Sequence, residues 1–354
     1  MKVLVVGAGI FGVTIALKLS DRHSVTLVDM NDDIMQNASR VNHNRLHFGF
    51  HYPRSRETAI QSLSGYLEFS DYFRDAITSD FDNYYMIERN GNVSSDDYES
   101  FCDSLDLKYK KEYPEMDINF STIESSYLTN EPIFDYDIMK ARLLADLAKS
   151  GVKVVLSRKI SRKSDLDDYH VIVNATYFNF NKTNSIWGLD KTRLIMQTVV
   201  IPIFKSDIRR VGLTIMDGKF CSVMPKGFND GLFLLYHAKE SIIYQTKDYE
   251  IPALWYYGKQ IIRNDFVKKN IYDKFVAKRN ILNISKASER YFRFLGDSEF
   301  IDYWQTIRSL PINDNDERLS VLNVSEVGDK KVISVLSGKI STCLLIADYI
   351  SDTI

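Results

Sequence analysis

The sequence predicts an α/β fold with a parallel sheet that is interrupted by a mixed α+β unit. Three observations predict it. An apolar run at residues 3–6 is followed by three closely spaced glycines and by a helical pattern at 13–19. A helix and strand pattern follows at 131–160, with another apolar strand at 171–173. Residues 194–245, by contrast, alternate with the two-residue period of β-strands.

The glycines form the motif Gly7-x-Gly9-x-x-Gly12 directly after the first strand. In such a turn the glycines let the backbone approach a pyrophosphate at the N-terminus of the following helix. The next strand, at 24–28, ends in Asp29, close to the spacing expected for an acid that binds an adenosine ribose. We therefore predict a Rossmann-like domain that binds a dinucleotide. The alternative is an ordinary glycine-rich turn in which Asp29 caps a loop.

The pattern also predicts the domain organisation. The Rossmann-like domain is expected to be discontinuous, with residues 1–60, 131–193 and 305–354. Its last segment contains a strand at 332–336, a turn at 337–339 and a helical face from 340 to 350. Residues 61–130 and 194–304 are expected to form the inserted α+β domain, which would supply a substrate pocket.

Composition excludes several classes of protein. The 354 residues carry 45 basic and 47 acidic side chains, a formal charge of −2, which gives no field to attract nucleic acid. The three cysteines are too widely spaced for a disulfide framework or a zinc site, so we expect a cytoplasmic protein. We expect no export signal and no membrane span, because the apolar runs are short.

A second concentrated signal lies at residues 42–53, which contain His43, His47 and His51. The alternation of apolar and polar residues there predicts a strand. Its ligand-facing side would carry Arg45, His47, Gly49 and His51, and its packing side Leu46, Phe48, Phe50 and Tyr52. A metal site on a helix is the competing interpretation, but Pro53 and the alternating aromatics oppose a helix, so no metal is expected. Plain packing histidines remain an alternative.

Together these segments resemble the FAD-dependent oxidoreductases of the D-amino-acid oxidase type, which include glycine oxidase, sarcosine oxidase and L-2-hydroxyglutarate dehydrogenase. The resemblance extends over the whole chain. It is carried by the glycine motif with Asp29 and by the segments 38–40, 45–52, 173–176, 307–311 and 336–342. One departure is Tyr177, which stands where relatives usually have glycine. Binding of NAD instead would leave the strand at 171–173 and the closing turn at 337–342 unexplained.

The resemblance implies FAD as the cofactor and assigns its contacts. Ser39 and Arg40 would lie at the pyrophosphate, His47 and Gly49 at the isoalloxazine, and the closing turn at the flavin pyrimidine. The full implied set is Gly7, Gly9, Ile10, Phe11, Gly12, Asp29, Ser39, Arg40, Arg45, Leu46, His47, Gly49, Ala175, Thr176, Gly338, Lys339, Ile340, Ser341 and Thr342.

The resemblance also implies the chemistry, which is hydride transfer to flavin N5 from a carbon that bears an amine or a hydroxyl. Arg308 would bind the carboxylate of a small substrate, because its planar fork matches a carboxylate. His47 or His51 would serve as the base for an alcohol. Tyr236 and His237 are candidates for the roof of the pocket. The electron acceptor stays open, as do a redox-neutral lyase or isomerase and a non-catalytic FAD-binding protein.

Overall fold

The computed structural model describes residues 1–218, 220–250, 271–313 and 317–354, so residues 251–270 of the predicted inserted domain lie outside the described residues. The strands are β1 Lys2–Val6, β2 Ser24–Val28, β3 Ile77–Thr78, β4 Asp82–Glu88, β5 Tyr109–Lys111, β6 Ile123–Thr129, β7 Ile133–Phe134, β8 Lys153–Val155, β9 Val171–Asn174, β10 Leu194–Lys205, β11 Val211–Met216, β12 Cys221–Pro225, β13 Leu232–His237, β14 Ile242–Asp248, β15 Glu299–Pro311, β16 Val321–Val327 and β17 Lys330–Leu336. The helices are α1 Ile10–Ser20, α2 Arg56–Tyr72, α3 Ser95–Ser104, α4 Tyr136–Lys149, α5 Phe180–Ile186, α6 Ile271–Glu289 and α7 Cys343–Thr353.

The first sheet has six strands in the order β16-β17-β9-β1-β2-β8. All neighbours are parallel except β16, which pairs antiparallel with β17 at one edge. Val3 and Val5 lie in one core cluster, together with side chains of α1, α4 and α7. Leu4 and Val6 lie in a second cluster on the other face. The alternation along β1 therefore buries both faces of the strand, as expected for a central parallel strand. The predicted α/β class is confirmed.

In the described part of the chain the second sheet has nine strands, with the order β14-β10-β13-β12-β11-β4-β6-β5 and β15 paired along β10. The register of β10 and β15 sets Gln197 opposite Arg308. Two features cross the predicted domain boundaries. The strand β15 continues past residue 305, and Phe69 of α2 lies in the core of the first sheet. The division into two domains otherwise stays a prediction.

The predicted strand at residues 45–52 is wrong, because this segment is a loop. Its one ladder contact with the described residues is an isolated bridge between Arg45 and Ile133. The N–H of Leu46 donates to the carbonyl of residue 132 (3.0 Å), and the N–H of Phe48 donates to the Glu131 carboxylate (2.8 Å). Gly49 then adopts φ +108°, a left-handed conformation that ends the extended run. These two N–H groups are thus bonded to residues 131–132 instead of to a continuous strand.

Candidate active site

A cavity of about 690 Å³ lies between the two sheets, at the carboxyl ends of β1, β2 and β9. Open α/β sheets bind ligands at this edge, where the connections diverge to opposite faces. One part of the cavity is lined by Gly7, Gly9 and Asp29, and another by His47 and Arg308. The described lining therefore brings the glycine turn and the histidine-rich loop to one chamber.

The turn between β1 and α1 depends on two glycines. Gly7 has φ +105°, and a Cβ there would lie 2.5 Å from the carbonyl oxygen of Ala175. A Cβ on Gly12 would lie 1.7 Å from the carbonyl oxygen of Gly7. Glycine at these positions lets the turn, α1 and the end of β9 pack in direct backbone contact. The N-terminus of α1 thereby reaches the cavity.

Polar groups surround this helix N-terminus. The Ser39 hydroxyl accepts a hydrogen bond from the N–H of Ile10 (3.0 Å). The buried carboxylate of Asp29 accepts from the N–H of Ala8 (2.6 Å) and from that of Asn31 (2.7 Å). Asp29 therefore holds the glycine turn in place while it lines the cavity.

The closing turn after β17 enters the same cavity through Gly338, Lys339 and Ile340. A Cβ on Gly338 would lie 2.0 Å from the carbonyl oxygen of Arg318, so only glycine fits there. The ammonium of Lys339 lies 4.3 Å from the centre of the Tyr52 ring. Burial, with a smaller effect of the Arg45 charge, lowers the pKa of Lys339 to about 7.

Three histidines line the other side of the chamber. Burial lowers the pKa of His43 to about 3, and the nearby Arg45 charge adds to the effect. The pKa values of His47 and His51 are also well below the ordinary value of 6.5, chiefly because of burial. All three imidazoles are therefore neutral at neutral pH, with one ring nitrogen each able to accept a proton.

Arg308 extends from β15 into the chamber opposite these histidines. One of its terminal nitrogens, Nη2, donates to Gln197 Oε1 and to the Tyr236 hydroxyl, both at 2.7 Å. Its buried Nε has no hydrogen-bond partner among the described residues. Tyr177, which also lines the cavity, has φ +51° at the end of β9. The tyrosine thus adopts the backbone conformation for which glycine is usual.

Most of the residues predicted from the sequence line the cavity. These are Gly7, Gly9, Ile10, Phe11, Asp29, Ser39, Arg45, His47, His51, Ala175, Thr176, Tyr236, Arg308, Gly338, Lys339 and Ile340. Their roles at a cofactor or substrate stay predictions.

The structure places the others elsewhere, and we leave them out of the proposed contacts. Arg40 lies over the Tyr136 ring and lines a second pocket, separate from this cavity. A Cβ on Gly49 would contact the side chains of Leu107 and Leu63, and Leu46 is buried in the core of the first sheet. The imidazole of His237 accepts from the backbone of residues 239 and 240. Gly12, Ser341 and Thr342 are likewise buried behind the lining.

Several lining residues carried no local signal in the sequence. Gln197 lies on β10, where the pairing with β15 brings it to Arg308, and Ser222 lies on β12, where its hydroxyl is 3.2 Å from His43 Nδ1 of the remote loop. Glu131, which lies just behind the histidines, was also missed. It is a single acid before a proline, and no spacing rule connects it to the loop at 45–52.

The residues present fit FAD. The N-terminus of α1 follows Gly9, which has no side chain to cover it, and it lies in the cavity lining, where the positive end of the helix favours a pyrophosphate. The cavity continues from there to the closing turn and the histidine loop, as an elongated dinucleotide requires. No cluster of three or more His, Cys, Asp or Glu in the described part of the chain is arranged to hold a metal ion. Within that same part, no helix is long and apolar enough to span a membrane.

Comparisons with known proteins agree with this geometry. A family model described as FAD dependent oxidoreductase matches residues 2–176. The chain is 24% identical over 345 residues to the FAD-dependent monooxygenase FPY4 of Fusarium mangiferae, covering 96% of this chain and 87% of that protein. It is 25% identical over 256 residues to the FAD-dependent monooxygenase kojA of Aspergillus flavus, covering 64% of this chain and 58% of that one.

Solved structures share the fold. Glycine oxidase from Geobacillus kaustophilus matches with a TM-score of 0.71 at 13% identity, covering 99% of this chain and 93% of that one. The L-amino acid deaminase from Proteus vulgaris matches with a TM-score of 0.66 at 12% identity, covering 99% and 92%. At such identities the likeness concerns the fold alone.

Proposed function

The chain belongs to the D-amino-acid oxidase type of FAD-dependent oxidoreductases, and we propose that it oxidises the hydroxyl-bearing carbon of a small hydroxy acid. Bound FAD supplies the acceptor, at flavin N5, for the hydride that leaves this carbon. Gly9, Ile10 and Ser39 would hold the pyrophosphate and Asp29 the adenosine end. The closing turn at Gly338–Ile340 would hold the flavin pyrimidine.

The substrate carboxylate is the first part of the proposal. Arg308 is the cation that β15 directs into the chamber, and Gln197 and Tyr236 fix one edge of its guanidinium. The N–H at its buried Nε has no acceptor among the described residues, and a carboxylate oxygen of the substrate would supply one. A charged hydrogen bond of this kind is shorter and stronger than a neutral one. The single observation that carries the proposal is this guanidinium opposite a set of neutral imidazoles.

The neutral imidazoles favour a hydroxyl over an amine. An alcohol that loses hydride must also lose its O–H proton, and a neutral imidazole can take it. The bond between carbon and hydrogen then breaks, the hydride leaves with its electron pair, and a carbonyl forms. An amine, by contrast, needs only its neutral form before it loses hydride, so it gains less from a base held at the reacting carbon. Among the described lining residues the only carboxylate is Asp29, which accepts from the glycine turn, so the imidazoles are the proton acceptors on the side of Arg308.

A second candidate is monooxygenation, because the relatives FPY4 and kojA are both named FAD-dependent monooxygenases. A monooxygenase places one atom of molecular oxygen in its product, whereas the oxidation proposed here leaves the oxygen of the hydroxyl in place. The two activities therefore differ in the origin of the product oxygen.

The test uses pairs of acids with the same carbon skeleton, one bearing a 2-hydroxyl and the other a 2-amino group. The purified FAD-loaded protein is incubated with each acid under ¹⁸O₂, with and without an artificial electron acceptor. We expect the hydroxy acid of each pair to give a 2-oxo acid that contains no ¹⁸O. Incorporation of ¹⁸O would favour the monooxygenase, and turnover of the amino member alone would contradict the proposal. Conversion without net oxidation would indicate a redox-neutral enzyme.

A further inference from the structure

A buried polar chain lies behind the histidine loop and links it to β4 of the second sheet. It consists of Arg45, Tyr85 and Glu131, all nearly or completely buried. Arg45 Nη1 donates to the Tyr85 hydroxyl (2.7 Å), and that hydroxyl donates to Glu131 Oε2 (2.5 Å). Burial keeps the pKa of Tyr85 well above 10, so the phenol retains its proton. The chain therefore has a fixed direction, from the guanidinium through the phenol to the carboxylate.

The guanidinium end of this chain meets His51. Arg45 Nη1 lies 3.3 Å from His51 Nδ1. A guanidinium has donors and no acceptor, so His51 Nδ1 must be the acceptor. A neutral His51 then carries its proton on Nε2, the ring nitrogen away from Arg45.

The carboxylate end of the chain meets His47. The buried Nδ1 of His47 lies 3.8 Å from Glu131 Oε1 and has no hydrogen-bond partner among the described residues. A lone pair on Nδ1 would point at the carboxylate oxygen and be repelled, whereas an N–H is attracted to it. The same oxygen accepts from the N–H of Phe48, which holds it in place. A neutral His47 therefore carries its proton on Nδ1 and a lone pair on Nε2.

We propose that Arg45 and Glu131 impose opposite tautomers on His51 and His47, so that two neighbouring imidazoles present an N–H and a lone pair to the same substrate. The ring centres are 5.0 Å apart. His47 Nε2 is then the base that takes the hydroxyl proton, and His51 Nε2 donates a hydrogen bond to a substrate oxygen. Glu131 is a positioning residue that acts through His47. The catalytic part of this assignment rests on the proposed function, whereas the tautomers do not.

Burial keeps both rings neutral, and the surrounding charges add to its effect. His47 is faced by Glu131, by Arg45 of the loop and by Lys339 of the closing turn, with His43 and His51 beside it. His51 is faced by Arg45, His43, His47 and Lys339. The cations oppose protonation of either ring, so the tautomers persist across neutral pH.

The tautomers can be measured without any assay of activity. The protein has six histidines, so ¹⁵N-histidine labelling gives few signals. Long-range ¹H–¹⁵N correlation spectra of the FAD-loaded wild type distinguish a protonated ring nitrogen from one with a lone pair. The variants His47→Gln and His51→Gln assign the two signals by their loss. We expect His47 protonated on Nδ1 and His51 on Nε2, and identical tautomers in the two rings would overturn the proposal.

Glu131→Gln tests the cause. An amide NH₂ that faces His47 favours a lone pair on Nδ1, so we expect the His47 signal to shift toward the Nε2–H tautomer. We also expect kcat to fall about tenfold, because fewer molecules would then carry the lone pair on His47 Nε2, with KM and FAD content little changed. Glu88→Gln is the matched control, because this buried glutamate also accepts from a tyrosine, Tyr291 at 2.6 Å. It should leave both tautomers unchanged.

The outcomes separate the two proposals. Opposite tautomers without hydroxy-acid oxidation would retain the positioning by Glu131 and reject the proposed function. Hydroxy-acid oxidation with identical tautomers would retain the proposed function and reject the positioning by Glu131. If Glu131→Gln does not fold, the wild-type spectrum alone still decides the tautomers, and Tyr85→Phe, which removes one donor from Glu131, tests the cause.

Discussion

Replacement of Arg308 by methionine removes the charge but keeps much of the side-chain length. In the structure Nη2 is already bonded to Gln197 and Tyr236, and the buried Nε remains for a ligand. We expect the FAD content and the fold to be retained, because Arg308 contacts the roof and not the glycine turn. The loss should therefore appear in the interaction with a carboxylate substrate.

The magnitude follows from the bond that is lost. A hydrogen bond to a charged group contributes about 1.5–3 kcal/mol. Since about 1.4 kcal/mol corresponds to a factor of ten, kcat/KM should fall by about 10- to 150-fold. Arg308→Lys keeps a point charge without the planar fork, so its kcat/KM should lie between the values of the wild type and of Arg308→Met.

The assay compares a hydroxy acid with the alcohol that lacks its carboxylate, under the same acceptor. Arg308→Met should lower kcat/KM for the acid and leave the poor rate with the alcohol unchanged. Arg293→Met is the control variant, because Arg293 is largely exposed and lies outside the cavity lining. An equal loss with acid and alcohol, or none with either, would refute the role of Arg308 at the carboxylate.

Three further predictions concern the base, the turn and pH. His47→Gln should lower kcat by about 10²- to 10⁴-fold at unchanged FAD content, measured by single-turnover kinetics; a full rate would exclude His47 as the base. Gly7→Ala should lower the free energy of unfolding in urea by more than about 1–3 kcal/mol, because the strained φ is joined by a clash with Ala175; Gly151→Ala, which meets open space, should not. Below pH 6.5 the unfolded chain protonates histidines that stay neutral when folded, so stability should fall by up to about 1.4 kcal/mol per pH unit for each buried histidine, down to about pH 3 for His43. Urea unfolding at pH 7.5 and 5.5 checks this, and equal stabilities would contradict it.

The glycine turn was predictable because its signals are local. The strand at Lys2–Val6, the helix from Ile10 and the strand at Ser24–Val28 follow one another within 30 residues, and each has its own period or glycine. The same holds for the closing turn at 337–339. In these segments the backbone hydrogen bonds run between the elements that the pattern itself identifies.

The histidine loop was not predictable as a loop, because its hydrogen-bond partners are remote in sequence. The alternation of Leu46, Phe48 and Phe50 satisfies the strand pattern equally well, since alternate residues pack in either case. Only the contact with Glu131, more than eighty positions away, shows where the N–H of Phe48 is bonded. Gln197 was missed for the same reason, because its place beside Arg308 depends on the register of β10 and β15.

The most direct test of the central claim is the visible spectrum of the purified protein during anaerobic addition of hydroxy acids and of the matching amino acids. The account predicts an FAD spectrum that is bleached by a hydroxy acid and is not bleached by the amino acid of the same skeleton. Bleaching by the amino acid alone would contradict the proposed substrate class. A colourless protein that also fails to take up added FAD would contradict the assignment of the cavity itself.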